Sequence, residues 1–252
     1  MIKKIYPLAL FALPLLFLPA CSNFTDGASR KRNALVIPSV TAPNIHSWAS
    51  ITKTFSKDAA TLTFEQAWLP KKDKGFREGT VRLLHGKNRL YVLADLTDDL
   101  LVTRAKRNNE NLWSLGDVFE IFARDLAGDT YYELHTASNG KNLQLNFPSQ
   151  KFFESRNFEL DDLKIARPMY QYRVRKTSQG WQVYAELDAQ TLFGKDAAPL
   201  AGREWLVSFG RYDYYGKKED SPKVLSSTSR HKAPLSYHHQ RYWTRIVFAP
   251  DA

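Results

Sequence analysis

From Thr80 onward, apolar and polar residues alternate in short runs: VRLL, YVLAD, VFEIF, YRVRK, WQVYAEL and WLVSF. A period of two is that of a strand with one buried face. Turn formers separate the runs. Thr80–His85 and Arg89–Thr97 flank Gly86-Lys87-Asn88 and read as a hairpin. Asp117–Ala123 and Tyr131–Thr136 flank a Gly-Asp turn, and Asn142–Phe147 follows Asn139-Gly140. Gln171–Lys176 and Trp181–Leu187 flank Ser178-Gln179-Gly180, and Glu204–Tyr212 and Tyr242–Phe248 complete the set. A helical turn is suggested at Asp188–Phe193, with Asp188 as its cap. Regular short strands without long helices predict an all-β fold, an antiparallel β-sandwich or jelly roll.

The first residues follow another pattern. Lys3 and Lys4 precede an apolar run from Leu8 to Leu18, which ends in Leu18-Pro19-Ala20-Cys21. A short basic segment, a short apolar segment and a small residue before the cut describe a secretory signal peptide, expected over 1–20. The small residue before a single Cys resembles a bacterial lipobox, so Cys21 is expected to become the acylated first residue of the mature chain. Several acyl chains together hold a protein at a membrane where one alone does not. Residues 21–43 are polar and aperiodic and read as a lipidated tether. Residues 44–252 are long enough for one β-sandwich domain with its own core. The expected location is the cell envelope: periplasm-exposed or surface-exposed, lipid-anchored, with the outer membrane favoured because Ser22, not Asp, follows the cysteine.

Composition adds two constraints. The chain has one Cys, so no intramolecular disulfide forms, and lipidation accounts for that thiol. The formal charge is +10, of which Lys3 and Lys4 leave with the leader. The remaining Lys and Arg are scattered, not gathered into a stripe, and an exported protein has little access to nucleic acid. No nucleic-acid partner is expected.

The most informative stretch for chemistry is LWSLGDVFEIFARDLAGDTYYELHTASNGKNLQLNF, Leu112 to Phe147. Trp113 sits among the turn formers Asn111, Ser114 and Gly116, which keeps an indole near the surface. A strand with Asp117 and Glu120 follows. These are three apart and face opposite ways, so they cannot act as an acid–base pair from this strand. Asp117 reads as a turn cap. No convergent carboxylate pair is apparent elsewhere, and GxSxG, P-loop and GxGxxG motifs are lacking, so the chain reads as a non-enzyme. His231, His238 and His239 lack the spacing of zinc motifs; the expectation is no metal there, and a histidine at the rim of a ligand site. Asp95, Asp98 and Asp99 follow a strand and could hold a structural calcium ion.

The order of the RLYVLADLTDD hairpin, Trp113, GDVFEIF, YYELHTASNGKNLQL, a strand opened by Gly-Trp and a closing aromatic-rich strand resembles the family 9 carbohydrate-binding modules and their DOMON-like β-sandwich relatives, over residues 44–249. The resemblance implies a sugar held between two aromatic side chains, with polar groups on its hydroxyls. It implies Trp113 as the first aromatic, although the Trp-to-Asp spacing is one residue longer here. It implies Tyr237, counted back from YWTRIVF, as the second, where the family often has Trp. Glu120 matches the acidic strand residue. The next strand offers Glu133 or His135, treated as facing opposite ways, with His135 taken as the contact and His238 as a rim residue. Expected ligands are mono- or oligosaccharides, and expected partners polysaccharide-degrading enzymes. No cofactor is expected beyond the calcium noted above. Two alternatives remain: a haem-b electron-transfer sandwich using Met169 with a Lys or His, or an envelope sandwich without ligand.

Overall fold

The computed structural model describes residues 34–41, 43–216, 218 and 221–251. The expected signal peptide and the expected lipidation site Cys21 lie outside them. Among the described residues there are twelve strands. These are β1 Leu35–Ile37, β2 Ala60–Thr63, β3 Gly79–His85, β4 Arg89–Thr97, β5 Val118–Asp125, β6 Tyr131–Ala137, β7 Asn142–Phe147, β8 Gln171–Thr177, β9 Gly180–Asp188, β10 Glu204–Tyr214, β11 Lys223–Ser227 and β12 Thr244–Phe248. They form two sheets, in the orders β1-β12-β10-β5-β6-β7 and β2-β3-β4-β9-β8. The long β10 pairs β12 through its first residues and β11 through its last ones. The chain is a β-sandwich, as the alternation predicts. All pairings are antiparallel except β1 with β12. That pairing also corrects the tether: Leu35–Ile37 belong to the sheet, so the domain begins before residue 44.

Nine of the strands were predicted from sequence; β1, β2 and β11 were not. The closing strand starts at Thr244, because Gln240–Tyr242 form a 3-10 turn. Three short α-helices are present: α1 Trp48–Thr54, α2 Gln150–Ser155 and α3 Ala189–Phe193. Asp188 caps α3 by accepting from the Thr191 amide at 2.9 Å, as expected. Ser47 and Ser149 cap the other two in the same way.

The inner faces of the sheets meet over residues such as Phe119, Ile121, Leu134, Phe209, Val92 and Val183, all fully buried. The outer faces are covered too. Ile51 of α1 and Phe55 just after it pack on Leu93 and Tyr184 outside the smaller sheet. Outside the larger sheet lies a second apolar cluster that includes Phe122, Tyr131, Phe147, Phe153, Tyr237 and Trp243. Central strands are therefore buried on both sides. The polar positions of VFEIF do not face solvent, and Glu120 is 1% exposed.

Candidate binding site

The outer face of the larger sheet can be read from its register. Gly210 pairs with Glu120, Glu120 with His135, and His135 with Leu143. One row along, Ser208 pairs with Phe122, Phe122 with Glu133, and Glu133 with Leu145. Acid, imidazole and acid thus occupy the middle of a face whose edges are apolar. Three segments wall it in: the 3-10 turn Leu112–Ser114, the stretch from α2 to Leu160, and the loop before the last strand. Together they leave a cavity of about 380 Å³ lined by residues including Trp113, Glu120, Glu133, Phe158, Tyr212 and Tyr237. This is the size and mixed character of a small-molecule site.

Two glycines shape it. Gly116 has φ +147°, and a Cβ there would meet the Val102 carbonyl at 2.2 Å. A side chain at that position cannot be accommodated, so glycine lets the Trp113 turn pack tightly into β5. A Cβ at Gly210 would meet Oε2 of Glu120 at 2.9 Å and the Tyr237 ring at 3.1 Å. The bare glycine lets both settle onto the sheet.

The polar floor is a connected network. His135 donates from Nε2 to Oε1 of Glu133 at 2.6 Å. Its Nδ1 lies 3.3 Å from Oε1 of Glu120. Glu133 also lies 3.5 Å from Nε2 of His238, whose Nδ1 is 2.8 Å from the Tyr131 hydroxyl. Burial pushes Glu120 up to about 8, with Glu133 adding to the effect and His135 opposing it. Burial also opposes charge on His135 and Glu133, but their neighbours outweigh it: Glu120 and then Glu133 raise His135, and His238 and then His135 lower Glu133. The three groups titrate as one network, in which Glu120 holds its proton most strongly among the acids. Burial holds His238 down to about 4. A neutral His238 accepts from Tyr131 and turns its N–H toward Glu133. Oε2 of Glu120 is buried without a hydrogen-bond partner, so a ligand hydroxyl would satisfy it.

Most of the residues expected from sequence converge here. Trp113, Glu120, Tyr237 and His238 all line the cavity. Three corrections follow. His135 does not line it; it is fully buried, with its ring edge against Trp113 at 5.5 Å between centroids. Glu133 does, and the two share a face because residues two apart on a strand point the same way. Tyr237 is not an open plate in a loop. It is 6% exposed, packs against Phe122 and Tyr212, and donates its hydroxyl toward the Ser226 and Arg211 carbonyls at 3.0 and 3.3 Å. It forms part of a wall, whereas Trp113 is half-buried at the mouth.

Sequence reasoning weighed Glu133 only as the alternative to His135, and missed Gly210, Tyr212 and the wall of Phe153, Arg156, Phe158 and Leu160. Strand parity signals Glu133. The aromatics of KFFESRNF, in a stretch read as having no element, signal the wall. The carboxylates missed earlier do converge. One atom each from Glu120, Glu133 and His135 lie within 4.8 Å of one another. Both carboxylates serve one imidazole on one face, so they do not flank a scissile bond from opposite sides. The same atoms could ligate a metal, but Nε2 of His135 is already engaged by Glu133.

The other expected centres do not assemble. Asp95 pairs with Arg82, Asp98 with Arg211 and Asp99 with Arg77, so the three aspartates diverge onto three arginines and form no shared calcium site. Asp117 accepts from the Val102 and Tyr214 amides, so it ties distant segments together and does not cap the turn beside it as expected. Met169 is buried beside a separate cavity of about 240 Å³ whose lining residues include Arg89, Glu186 and Asp188 but no His or Lys. These residues do not fit an axial Met–His or Met–Lys pair for haem.

No protein-family model and no curated protein matches the sequence. Solved structures do share the fold. A protein from Bacteroides uniformis ATCC 8492, provisionally assigned as carbohydrate-binding, superposes with a TM-score of 0.64 at 14% identity, over 85% of this chain and 98% of the other. A family 9 carbohydrate-binding module from Caldicellulosiruptor kristjanssonii, solved with cellotriose, gives 0.56 at 13% identity, over 86% and 95%. A family 9 module from the same organism, solved with glucose, gives 0.52 at 11% identity, over 86% and 96%. The chain has the fold of the family 9 carbohydrate-binding modules.

Proposed function

We propose that this chain is a non-catalytic carbohydrate-binding lipoprotein whose sugar sits in the cavity outside the larger sheet. One observation carries the reading. A half-buried indole stands at the mouth of a cavity whose floor presents a carboxyl oxygen with no hydrogen-bond partner. A pyranose has apolar C–H faces and a rim of hydroxyls. Trp113 offers the face a stacking surface, and the carboxyl groups of Glu120 and Glu133 offer the rim hydrogen-bond partners. The fold is that of modules seen with glucose and cellotriose, which makes neutral sugars the first probes. Tyr237 contributes its ring to the wall, so the clamp is Trp113 closing over a braced pocket.

Binding of mono- or oligosaccharides is expected at micromolar to millimolar Kd, roughly 4–8 kcal/mol. Trp113→Ala should cost about 2–4 kcal/mol of that, as truncation of a large aromatic anchor does. Calorimetry with glucose and cellotriose, run beside thermal melts, separates this from a packing role. A large fall in melting temperature with unchanged affinity of the folded fraction would remove Trp113 from the site. Turnover of a bound sugar that disappears in Glu120→Gln would make the protein an enzyme.

The lipobox-like Leu18-Pro19-Ala20-Cys21 supports anchoring to the cell envelope through acylated, palmitate-bearing Cys21, in a position to serve polysaccharide-degrading enzymes. Cys21→Ala should release the protein from the membrane fraction. An unmodified Cys21 in the mass spectrum of the native protein would end the anchoring reading.

A further inference from the structure

The cavity is divided. Its polar groups stand over β5 and β6, where Glu120 and Glu133 lie. Beyond them, over β7 and the segment after α2, the lining is Leu145, Phe147, Phe153, Phe158 and Leu160, with the exposed Arg156 and the half-buried His238, its ring stacked on Phe153, as the polar groups. Strands β5 and β7 are two strand spacings apart, roughly 10 Å, so the two halves lie side by side. The apolar half is held open by its own packing. Phe158 stacks on Phe152 at 5.3 Å, Phe153 stacks on His238 at 3.7 Å, and Phe147 meets both Phe153 and Phe158 edge-on. Phe158 and Leu160 remain half-buried while lining the cavity.

A bare sugar is a poor match for this half. Its rim carries hydroxyls all round, and a hydroxyl placed against Phe147 or Leu160 loses water without gaining a partner. An apolar group placed there covers apolar surface that is otherwise wet. We infer that the ligand is a saccharide bearing an apolar aryl or acyl substituent: the ring lies over Glu120 and Glu133 beneath Trp113, and the substituent lies against Phe147, Phe153, Phe158 and Leu160. This rests on the sugar reading above and names the ligand class of that same site.

Matched glycosides test it. Methyl and 4-nitrophenyl glycosides of glucose, galactose, xylose and N-acetylglucosamine, in both anomers, would be titrated calorimetrically into the wild type, with 4-nitrophenol as the aglycone control. For at least one sugar the nitrophenyl glycoside should bind at least tenfold more tightly than its methyl partner, and 4-nitrophenol alone should bind more weakly than either. Phe158→Ala should bring the ratio of the two affinities to within about threefold of one. Leu160→Ala provides a second variant should the first lose its melting transition. Equal affinities for methyl and nitrophenyl glycosides in the wild type would overturn the inference and leave sugar binding intact. A ratio unchanged in both variants would overturn the placement of the substituent. Binding of 4-nitrophenol as tight as that of its glycosides, or no binding of any glycoside by folded protein, would overturn the sugar reading along with it.

Discussion

Strand β10 carries its residues to two buried acidic clusters, one on each side, and they are built differently. Gly210 and Tyr212 face the cavity and its pair Glu120 and Glu133. Arg211 and Asp213 face the other way, where Asp213 meets Asp98 and Asp117, all three buried and with ligand atoms within 4.8 Å of one another. In that cluster every acid has a strong permanent partner. Arg211 lies 3.0 Å from Asp213 and 3.4 Å from Asp98. Arg77 bonds Asp213 at 2.9 Å, and the Leu100, Val102 and Tyr214 amides point at Asp98 and Asp117. The Glu120 cluster has neither arginine nor amide. It has imidazoles, and Oε2 of Glu120 has neither a hydrogen bond nor an ion pair, whereas Oδ2 of Asp213, which also lacks a hydrogen bond, lies 3.0 Å from the Arg211 guanidinium. The titrations follow the same order. Burial raises Asp98 to about 6 and Asp117 to about 7, against opposing amide bonds, and Glu120, without such bonds, to about 8. A buried acid cluster whose needs are met from within serves the fold; one left incomplete beside a cavity is available to a ligand.

The largest expected effect tests the first half of that contrast. Arg211 is 1% exposed, and Arg211→Met would leave Asp98 and Asp213 buried with one cation fewer. Breaking a buried charge network from one side costs about 3–5 kcal/mol. Chemical denaturation should show a loss of that size, with sugar affinity of the folded fraction unaltered. A loss below about 1 kcal/mol would mean that the network is not what holds the end of the sandwich closed.

What the sequence revealed follows the same division between local and long-range causes. Nine strands were legible because alternation is a local signal. Leu35–Ile37, Ala60–Thr63 and Lys223–Ser227 were missed because segments of three to five residues take strand form from the neighbours they pair with. Helices α1 and α2 are under two turns each and rest on serine caps and tertiary contacts. Trp113 and Glu120 were legible as an aromatic on a turn and an acid on a strand. Burial of His135 was not, because it depends on covering segments far along the chain. Nor was the fate of Tyr237, which depends on Gly210 in another strand.

The second half of the contrast can be tested by pH. Glu120 has a folded value near 8, raised by burial, so its favourable contribution is present below about 4.5 and is lost as pH rises through 8. The groups facing it are His135, Glu133 and the more distant Lys223. Glu120→Gln keeps the shape and removes the titration. The stability difference between variant and wild type should shift in favour of the variant across pH 5–8, by up to about 1.4 kcal/mol per pH unit. Asp98 and Asp117 titrate lower in both proteins, so the gap should still be widening between pH 7 and 8. Urea unfolding at a series of pH values gives both curves. Parallel curves over that range would show that Glu120 is ionised throughout, and that the floor is a charged site.

The smallest effect separates the wall from the ligand. Tyr237 lines the cavity with its ring, but its hydroxyl is turned to the Ser226 and Arg211 carbonyls and away from any guest. Tyr237→Phe keeps the ring against Phe122 and Tyr212 and removes that tie. A hydrogen bond from a neutral hydroxyl contributes about 1 kcal/mol to stability, so the melting temperature should fall by a few degrees. Affinity for any sugar that the wild type binds should stay within about twofold. The opposite outcome, an unmoved melting temperature with affinity down fivefold or more, would place the hydroxyl on the ligand. Tyr237 would then join Glu120 among the unsatisfied groups of the site, and the division between a braced wall and an incomplete floor would have to be redrawn.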